Sequence, residues 1–258
     1  MDLTYADYLH LDQLLALQRP RSDPPEHDEL LFIVTHQTYE LWFKLLLHEL
    51  EKARADLFAH RPYPAVSTLK RCRTVVKVLV EQVDILETLT PLEFASFRDR
   101  LDRASGFQSA QFRELEFLLG YKRADMLLYQ PSAEATERLK RRLAEPSLMD
   151  GLYALLAAEG VDVPASLRQP SSAPTEPNEG VQAGILRLYR TRPDLEILFE
   201  LLTDFDEGFQ EWRYRHIKLV ERTIGAKRGT GGSPGVEFLK RSLFQPLFPD
   251  LWAIRHQL

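Results

Sequence analysis

The stretch LLFIVTHQTYELWFKLLL, residues 30–47, constrains the fold more than any other part of the chain. Its apolar residues fall on nearly every side of a helix rather than along one stripe, so that helix is expected to be enclosed by others. Just upstream, Asp23-Pro24-Pro25-Glu26 offers an N-cap aspartate, proline at the first helical position and a glutamate three residues after the cap. These signals predict a helix that starts there and runs to about Phe58. An enclosed helix needs a large core around it, and 258 residues of which 44% are hydrophobic can supply one.

The remainder of the chain continues the helical pattern. Leu69, Val76, Leu79, Val80, Val83 and Leu86 recur at helical spacing, with Lys and Arg opposite, over residues 66–89. Thr90-Pro91-Leu92-Glu93 forms a capping box that predicts a helix through Arg103, ended by Ser105-Gly106. Residues 107–119 carry another helical pattern, and residues 121–160 read as shorter, peripheral helices broken at Pro131 and Pro146. Residues 161–180, with Pro164, Pro170, Pro174 and Pro177, are expected to form a mobile surface loop without a packed core. A last long helix is predicted from Pro193-Asp194 to Gly225, followed by a Gly-rich segment at 225–236 and a short closing helix. With no alternating strand pattern and no fixed-period repeat, the expected class is all-α: a single-domain helical bundle over residues 1–258.

A formal net charge of -5 argues against a nucleic-acid partner, which calls for clustered surplus Lys and Arg. A small molecule is the expected ligand. No apolar stretch approaches the roughly 20 residues of a membrane-spanning helix. The start MDLTYADYLH lacks a secretory pattern, and Cys72 is the only cysteine, so a cytoplasmic, reducing location is expected.

Two histidines fall on apolar helical stripes. His216 shares a face with Phe209, Trp212, Leu219 and Thr223, and His36 shares one with Phe32, Tyr39 and Phe43. An inward histidine alone is compatible with a core residue hydrogen-bonded to a neighbour. It is equally the residue type that binds haem iron axially inside an apolar helical pocket. Zinc is disfavoured, because Lys52 stands where a second histidine would complete the motif begun by His48-Glu49, and no CxxC occurs. The segment GTGGSPG follows a helix rather than a strand and lacks a Lys-Ser/Thr pair, which disfavours nucleotide binding. It suits a lid carrying Thr230, or a plain flexible connection. Arg98, beside Phe94 and Phe97, suits capture of a carboxylate, or an exposed ion pair with Asp99 or Asp102.

Four blocks, LTYADYLHLDQLL, HDELLFIVTHQTYELWFKLLLHEL, FRDRLDRASGFQSAQFRELEFLLG and WRYRHIKLVERTIGAKRGTGGSPGVEFL, together resemble the tryptophan 2,3-dioxygenase family, in that family's order. The resemblance runs from about Leu3 to about Phe248 and is weakest around 121–167 and in the Pro-rich segment. It implies one haem b (iron protoporphyrin IX) per subunit, L-tryptophan and O2 as substrates, and a homotetramer. The implied reaction inserts both atoms of O2 across the indole C2–C3 bond to give N-formyl-L-kynurenine, the first step of the kynurenine pathway. A related haem enzyme acting on another indole or a substituted tryptophan, or a non-catalytic haem or tryptophan sensor, are the alternatives.

The resemblance also implies roles for individual residues. His216 matches the axial haem-iron ligand and His36 the distal histidine that meets the indole N–H. Phe32 matches the indole wall, with Ile33, Val34 and Thr35 completing the same turn, and Arg98 matches the binder of the substrate carboxylate. Thr230 matches the lid threonine at the amino-acid end, while Ser105 and Gly106 match residues close to the haem and its oxygen. Phe94 stands where some relatives have tyrosine. Tyr5, Tyr8 and Leu9 match N-terminal residues that enter the neighbouring subunit's pocket, and Pro234 replaces the usual second serine of the lid.

Overall fold

The computed structural model describes residues 2–227, 229–230 and 235–258, and among these residues there are helices and turns but no strand, as expected. Two short helices, α1 (Tyr5–Leu9) and α2 (Leu11–Leu14), lead to α3 (His27–Phe58), α4 (Pro62–Glu87) and α5 (Pro91–Arg98). Next come α6 (Ala110–Leu118), α7 (Ala133–Ala144) and α8 (Leu148–Ala158). The chain finishes with α9 (Glu179–Thr191), α10 (Pro193–Ile224), α11 (Val236–Lys240) and α12 (Pro249–Ala253). No helix among the described residues is long and apolar enough to cross a membrane.

Two 32-residue helices, α3 and α10, set the frame, each about 48 Å long at 1.5 Å per residue. The 26-residue α4 packs against both. Its stripe of Leu69, Cys72, Val76, Leu79 and Val83 is buried against Leu46, Leu50 and Leu57 of α3 and Leu198, Leu202 and Phe205 of α10 in one apolar core. Glycine at position 208 allows the close approach, since a Cβ there would sit 3.1 Å from Val76 Cγ1.

The start of α3 differs from expectation. The helix begins at His27, with Glu26 at its cap, because Ser22 and Glu29 do the capping work. The buried Glu29 carboxylate accepts the backbone N–H groups of Arg21 and Ser22 at 2.6 and 2.9 Å, and Ser22 Oγ accepts from the N–H of Glu26 at 2.8 Å. Burial alone would raise the Glu29 pKa, but the bonds from the Ser22 hydroxyl and the two backbone amides outweigh it and lower it. Nor is the apolar centre of α3 enclosed on every side. Leu30, Val34 and Leu41 lie exposed along one stripe, which this chain leaves uncovered.

Other boundaries follow from local chemistry. Thr90 and Glu93 make the expected reciprocal capping box, but α5 stops at Arg98, passes through a 3-10 turn and ends at Asp102, which has φ 48°. That residue breaks the helix predicted to reach Arg103. Ser109 then caps α6 by accepting from the N–H of Phe112. Far from being peripheral, α8 packs on α3 and buries Leu148, Met149, Leu152, Tyr153, Leu155 and Leu156, because LMDGLYALLAA is apolar on most sides.

The Pro-rich segment is a surface connection in its middle but is tied down at both ends, contrary to the expectation of a mobile loop. Val161 and Val163 belong to the main core, and the backbone N–H of Asn178 donates to Asp250 at 2.6 Å. Asn178 also caps α9, a helix the sequence reading missed, whose Val181, Ile185 and Leu188 are buried.

Contact between this segment and α9 is tight. A Cβ at Gly184 would lie 2.2 Å from Val161 Cγ1 and 2.9 Å from Val161 Cβ. In an open helix Gly184→Ala would stabilise by about 1 kcal/mol; here overpacking is expected to reverse the sign and cost about 1–3 kcal/mol. Val161→Ala should relieve the part of that penalty that comes from the two Val161 methyl groups, leaving the 2.9 Å approach of its Cβ. Urea unfolding of the two single variants and the double variant measures the coupling, and purely additive effects would contradict the packing.

Candidate active site

An apolar cavity opens between α3, α5 and α10, closed at one end by the 101–109 turn and α6. Its lining includes Phe32 and His36 from α3, Phe94 and Arg98 from α5, Ser105 and Gly106 from the turn, His216 from α10, and Thr230. Eight of the residues singled out in the sequence thus converge, although they are spread over almost 200 positions. Helical rotation explains which neighbours do not. Residues 32 and 36 share a face, whereas Ile33, Val34 and Thr35 turn away from the cavity, Val34 to the exterior and Thr35 into protein. Tyr5, Tyr8 and Leu9 sit on the exposed α1, away from this chain's own cavity. Pro234 and the centre of the 225–236 segment fall outside the described residues.

His216 is walled in by protein and opens only onto the cavity. Burial above all, with the charges of His36 and Arg113 adding to it, lowers its pKa from the ordinary 6.5 to about 4, so the ring is neutral near pH 7. Trp212, one turn earlier, stacks on it with centroids 5.2 Å apart and planes 2° apart. Neither ring nitrogen has a hydrogen-bond partner among the described residues, which leaves a lone pair for a ligand.

His36 differs in its partner. Nδ1 lies 2.7 Å from the carbonyl oxygen of Phe32, and a carbonyl can only accept, so Nδ1 carries the proton and Nε2 presents a lone pair. Burial lowers its pKa as well, opposed by the Phe32 carbonyl and the nearby Glu40 charge. This ring can accept a hydrogen bond from a donor in the cavity. Beside it Phe32 packs at 4.0 Å between ring centroids, Phe94 extends the apolar wall at 5.6 Å from Phe32, and the buried Phe97 supports Phe32 at 5.7 Å.

The far side supplies polarity and space. Arg98, at the C-terminal end of α5, lines the cavity, and the Thr230 hydroxyl donates to the Ala104 carbonyl at 2.5 Å, tying its segment to the turn that holds Ser105 and Gly106. A Cβ at Gly106 would meet nothing within 4 Å, so that backbone borders open space. Among the described residues no group of three or more His, Cys, Asp or Glu could hold a bare metal ion.

A sequence model of the family described as tryptophan 2,3-dioxygenase matches residues 1–160 and 179–258. The chain is 51% identical to the tryptophan 2,3-dioxygenase of Anaeromyxobacter sp. (strain K) over 257 residues, covering 99% of this chain and 96% of that protein. It is likewise 51% identical to the one of Herpetosiphon aurantiacus, over 99% of this chain and 98% of the relative. The chain belongs to the tryptophan 2,3-dioxygenase family. A third member, from Saccharopolyspora erythraea, is 47% identical over the whole of this chain and 93% of its own length. Membership makes the chain an oxidoreductase of the tryptophan 2,3-dioxygenase kind, and the gap in the family match falls on the Pro-rich segment.

Sequence reading missed one feature of this family member's cavity. Arg113, Arg123 and Arg213 surround Glu116, whose carboxylate oxygens accept from them at 2.6, 2.8 and 3.1 Å. The signal was present as Arg113 and Glu116 three residues apart on one helix face and Arg213 three residues before His216. Burial alone would raise the Glu116 pKa, but the three guanidinium groups outweigh it and hold it near 2.

A carboxylate held below its ordinary 4.5 takes up its proton later than in the unfolded chain, so its stabilisation is complete above 4.5 and lost as pH falls towards 2. Glu116→Gln is therefore expected to be less stable at neutral pH but to lose less of its remaining stability across that window. Urea midpoints from pH 6 to 2.5 test this; parallel curves for the two proteins would contradict it.

Proposed function

We propose that the chain holds one haem b through His216 and uses O2 to open the indole ring of L-tryptophan, giving N-formyl-L-kynurenine at the head of the kynurenine pathway. The observation that carries the proposal is the pairing, across one apolar cavity, of a neutral, unpartnered His216 imidazole with a His36 whose lone pair also faces inward. The residues fit haem: the His216 ring would hold the iron, the walls are apolar, and Gly106 borders open space.

When bound, the haem supplies the iron at which dioxygen is activated. The protein's own residues supply the rest. His36 Nε2 accepts the indole N–H, which holds the ring without needing to remove its proton. Phe32 and Phe94 pack on the ring and exclude water. Arg98 pairs with the substrate carboxylate, and since Phe94 has no hydroxyl, that carboxylate gains no phenolic contact at this position. The Thr230 hydroxyl spends its proton on Ala104, so its oxygen remains an acceptor for the substrate ammonium. Ser105 and Gly106, which line the same cavity, would lie close to the haem. These two contacts at the amino-acid end, one from a guanidinium and one from a hydroxyl, thereby convert binding energy into orientation of the indole C2–C3 bond. Both oxygen atoms enter the product, so the reaction balances without an external reductant.

We extend the proposal to assembly. Exposed Tyr5 and Tyr8, together with the uncovered Leu30, Val34 and Leu41 stripe, favour a homotetramer in which Tyr5, Tyr8 and Leu9 complete a neighbour's site. A cytoplasmic location, suggested by the lone buried Cys72, belongs to the same proposal.

Arg98→Ala is expected to raise KM for L-tryptophan about 10- to 100-fold with haem content unchanged, the loss of one charge-assisted contact. His216→Ala is expected to purify without haem. Steady-state kinetics and pyridine haemochrome content measure these. An unchanged KM in the first variant, or a full Soret band in the second, would contradict the assignment.

A further inference from the structure

Glu40 continues the face of α3 that carries Phe32 and His36, and it lines the same cavity. It follows His36 by one helical turn, about 6 Å along the axis. Gln111 of α6 holds it in place, donating from Nε2 to the Glu40 carbonyl oxygen at 3.0 Å and to carboxylate Oε2 at 2.7 Å. The other carboxylate oxygen, Oε1, has no hydrogen-bond partner among the described residues. Nor does an ion pair among these residues take up the charge, since the arginines at the α6 end are paired with Glu116. A carboxylate without a cation beside apolar walls costs stability, so this one calls for a use.

Its charge acts on His36. Nδ1 of that ring is committed to the Phe32 carbonyl at 2.7 Å, so Nε2 is the position left for a ligand. Burial lowers the pKa of the ring, and the Glu40 carboxylate opposes that effect. An anion nearby makes an imidazole a better base, and a better base accepts a hydrogen bond more strongly. The effect grows as an indole reacts. Addition of oxygen at C2 and C3 draws electrons from the ring, the nitrogen lone pair replaces them, and the N–H gains positive character. Both the hydrogen bond to Nε2 and the attraction of the Glu40 charge then strengthen, and stabilisation that grows towards the transition state lowers the barrier.

We propose that Glu40 is a positioning residue that acts through His36: fixed by Gln111, its carboxylate polarises the imidazole so that Nε2 holds the indole N–H more tightly as the ring is oxidised. This rests on the tryptophan-opening reading above. Gln111 then has a definite part beyond joining α3 to α6: its two bonds to Glu40 keep the carboxylate at the cavity instead of letting it turn away.

The test compares L-tryptophan with its benzofuran analogue, in which a ring oxygen replaces the indole N–H. The haem-loaded full-length chain is titrated with each by calorimetry in the absence of oxygen. Glu40→Gln keeps the shape of the side chain and removes its charge. It is expected to weaken tryptophan binding about 3- to 10-fold and leave the Kd of the analogue unchanged. In steady-state turnover of tryptophan it should lower kcat by more than it raises KM, and in a His36→Ala background the same change should no longer affect tryptophan binding. A purely structural tie between α3 and α6 would weaken both ligands alike and would persist without His36; either result overturns the role given to Glu40 while leaving the enzyme reading intact. A wild type that binds no tryptophan, or binds tryptophan and the analogue equally, would instead overturn the reading on which the role rests. If Glu40→Gln fails to fold, Gln111→Leu, which keeps the charge but frees the carboxylate, should weaken tryptophan selectively by a smaller factor, and an unchanged tryptophan affinity there would overturn the proposal.

Discussion

The packing of α4 between α3 and α10 fixes where everything else in the cavity can be. Side chains from Leu69 to Leu86 touch both long helices, so the gap between α3 and α10 is set by one apolar stripe rather than by loops. The Tyr39 hydroxyl adds a directional tie, donating to the Leu79 carbonyl at 2.8 Å. His36 lies one turn before Tyr39 on α3, and His216 lies two turns beyond Gly208, where α10 packs tightly on Val76 of α4. Two imidazoles on separate rigid helices are thereby held at one cavity. A site carried by helices is held more tightly than one built on loops.

Electrostatics then divides the cavity into two regimes. Around the histidines burial dominates, keeping both rings neutral: a ligand lone pair on one, a hydrogen-bond acceptor on the other. At the α6 end burial is overruled by three arginines around a single carboxylate, and Glu116 stays ionised. The apolar regime suits a flat aromatic group and the charged regime suits anions.

Much of this was legible in the sequence because it is local or periodic. The positions 32, 36, 39 and 43 and the positions 209, 212, 216 and 219 mark inward faces without any knowledge of the partner. The Thr90–Glu93 capping box is written in four consecutive residues and is found as read. Failures occurred where distant residues decide. Glu29 reaches back to Arg21 and Ser22 and moves the start of α3 past both prolines. Val161 and Val163 are buried only because α9 and the main core surround them, so a proline-rich composition masked two core positions. The α9 helix carried its own periodic signal at 181, 185 and 188, hidden by the loop composition just before it. The roles given to His216, His36 and Arg98 needed the resemblance of whole blocks, since an inward histidine or an arginine beside phenylalanine has several meanings on its own.

The proposed reaction, in which this cavity turns tryptophan and dioxygen into a ring-opened product, is open to direct measurement. The reduced, haem-loaded chain mixed with L-tryptophan in air should consume one O2 per tryptophan and develop the near-ultraviolet absorbance of N-formyl-L-kynurenine, with both new oxygen atoms derived from O2 by mass. A haem-loaded chain that binds tryptophan yet consumes no oxygen, or a product carrying a single oxygen atom from O2, would contradict the account.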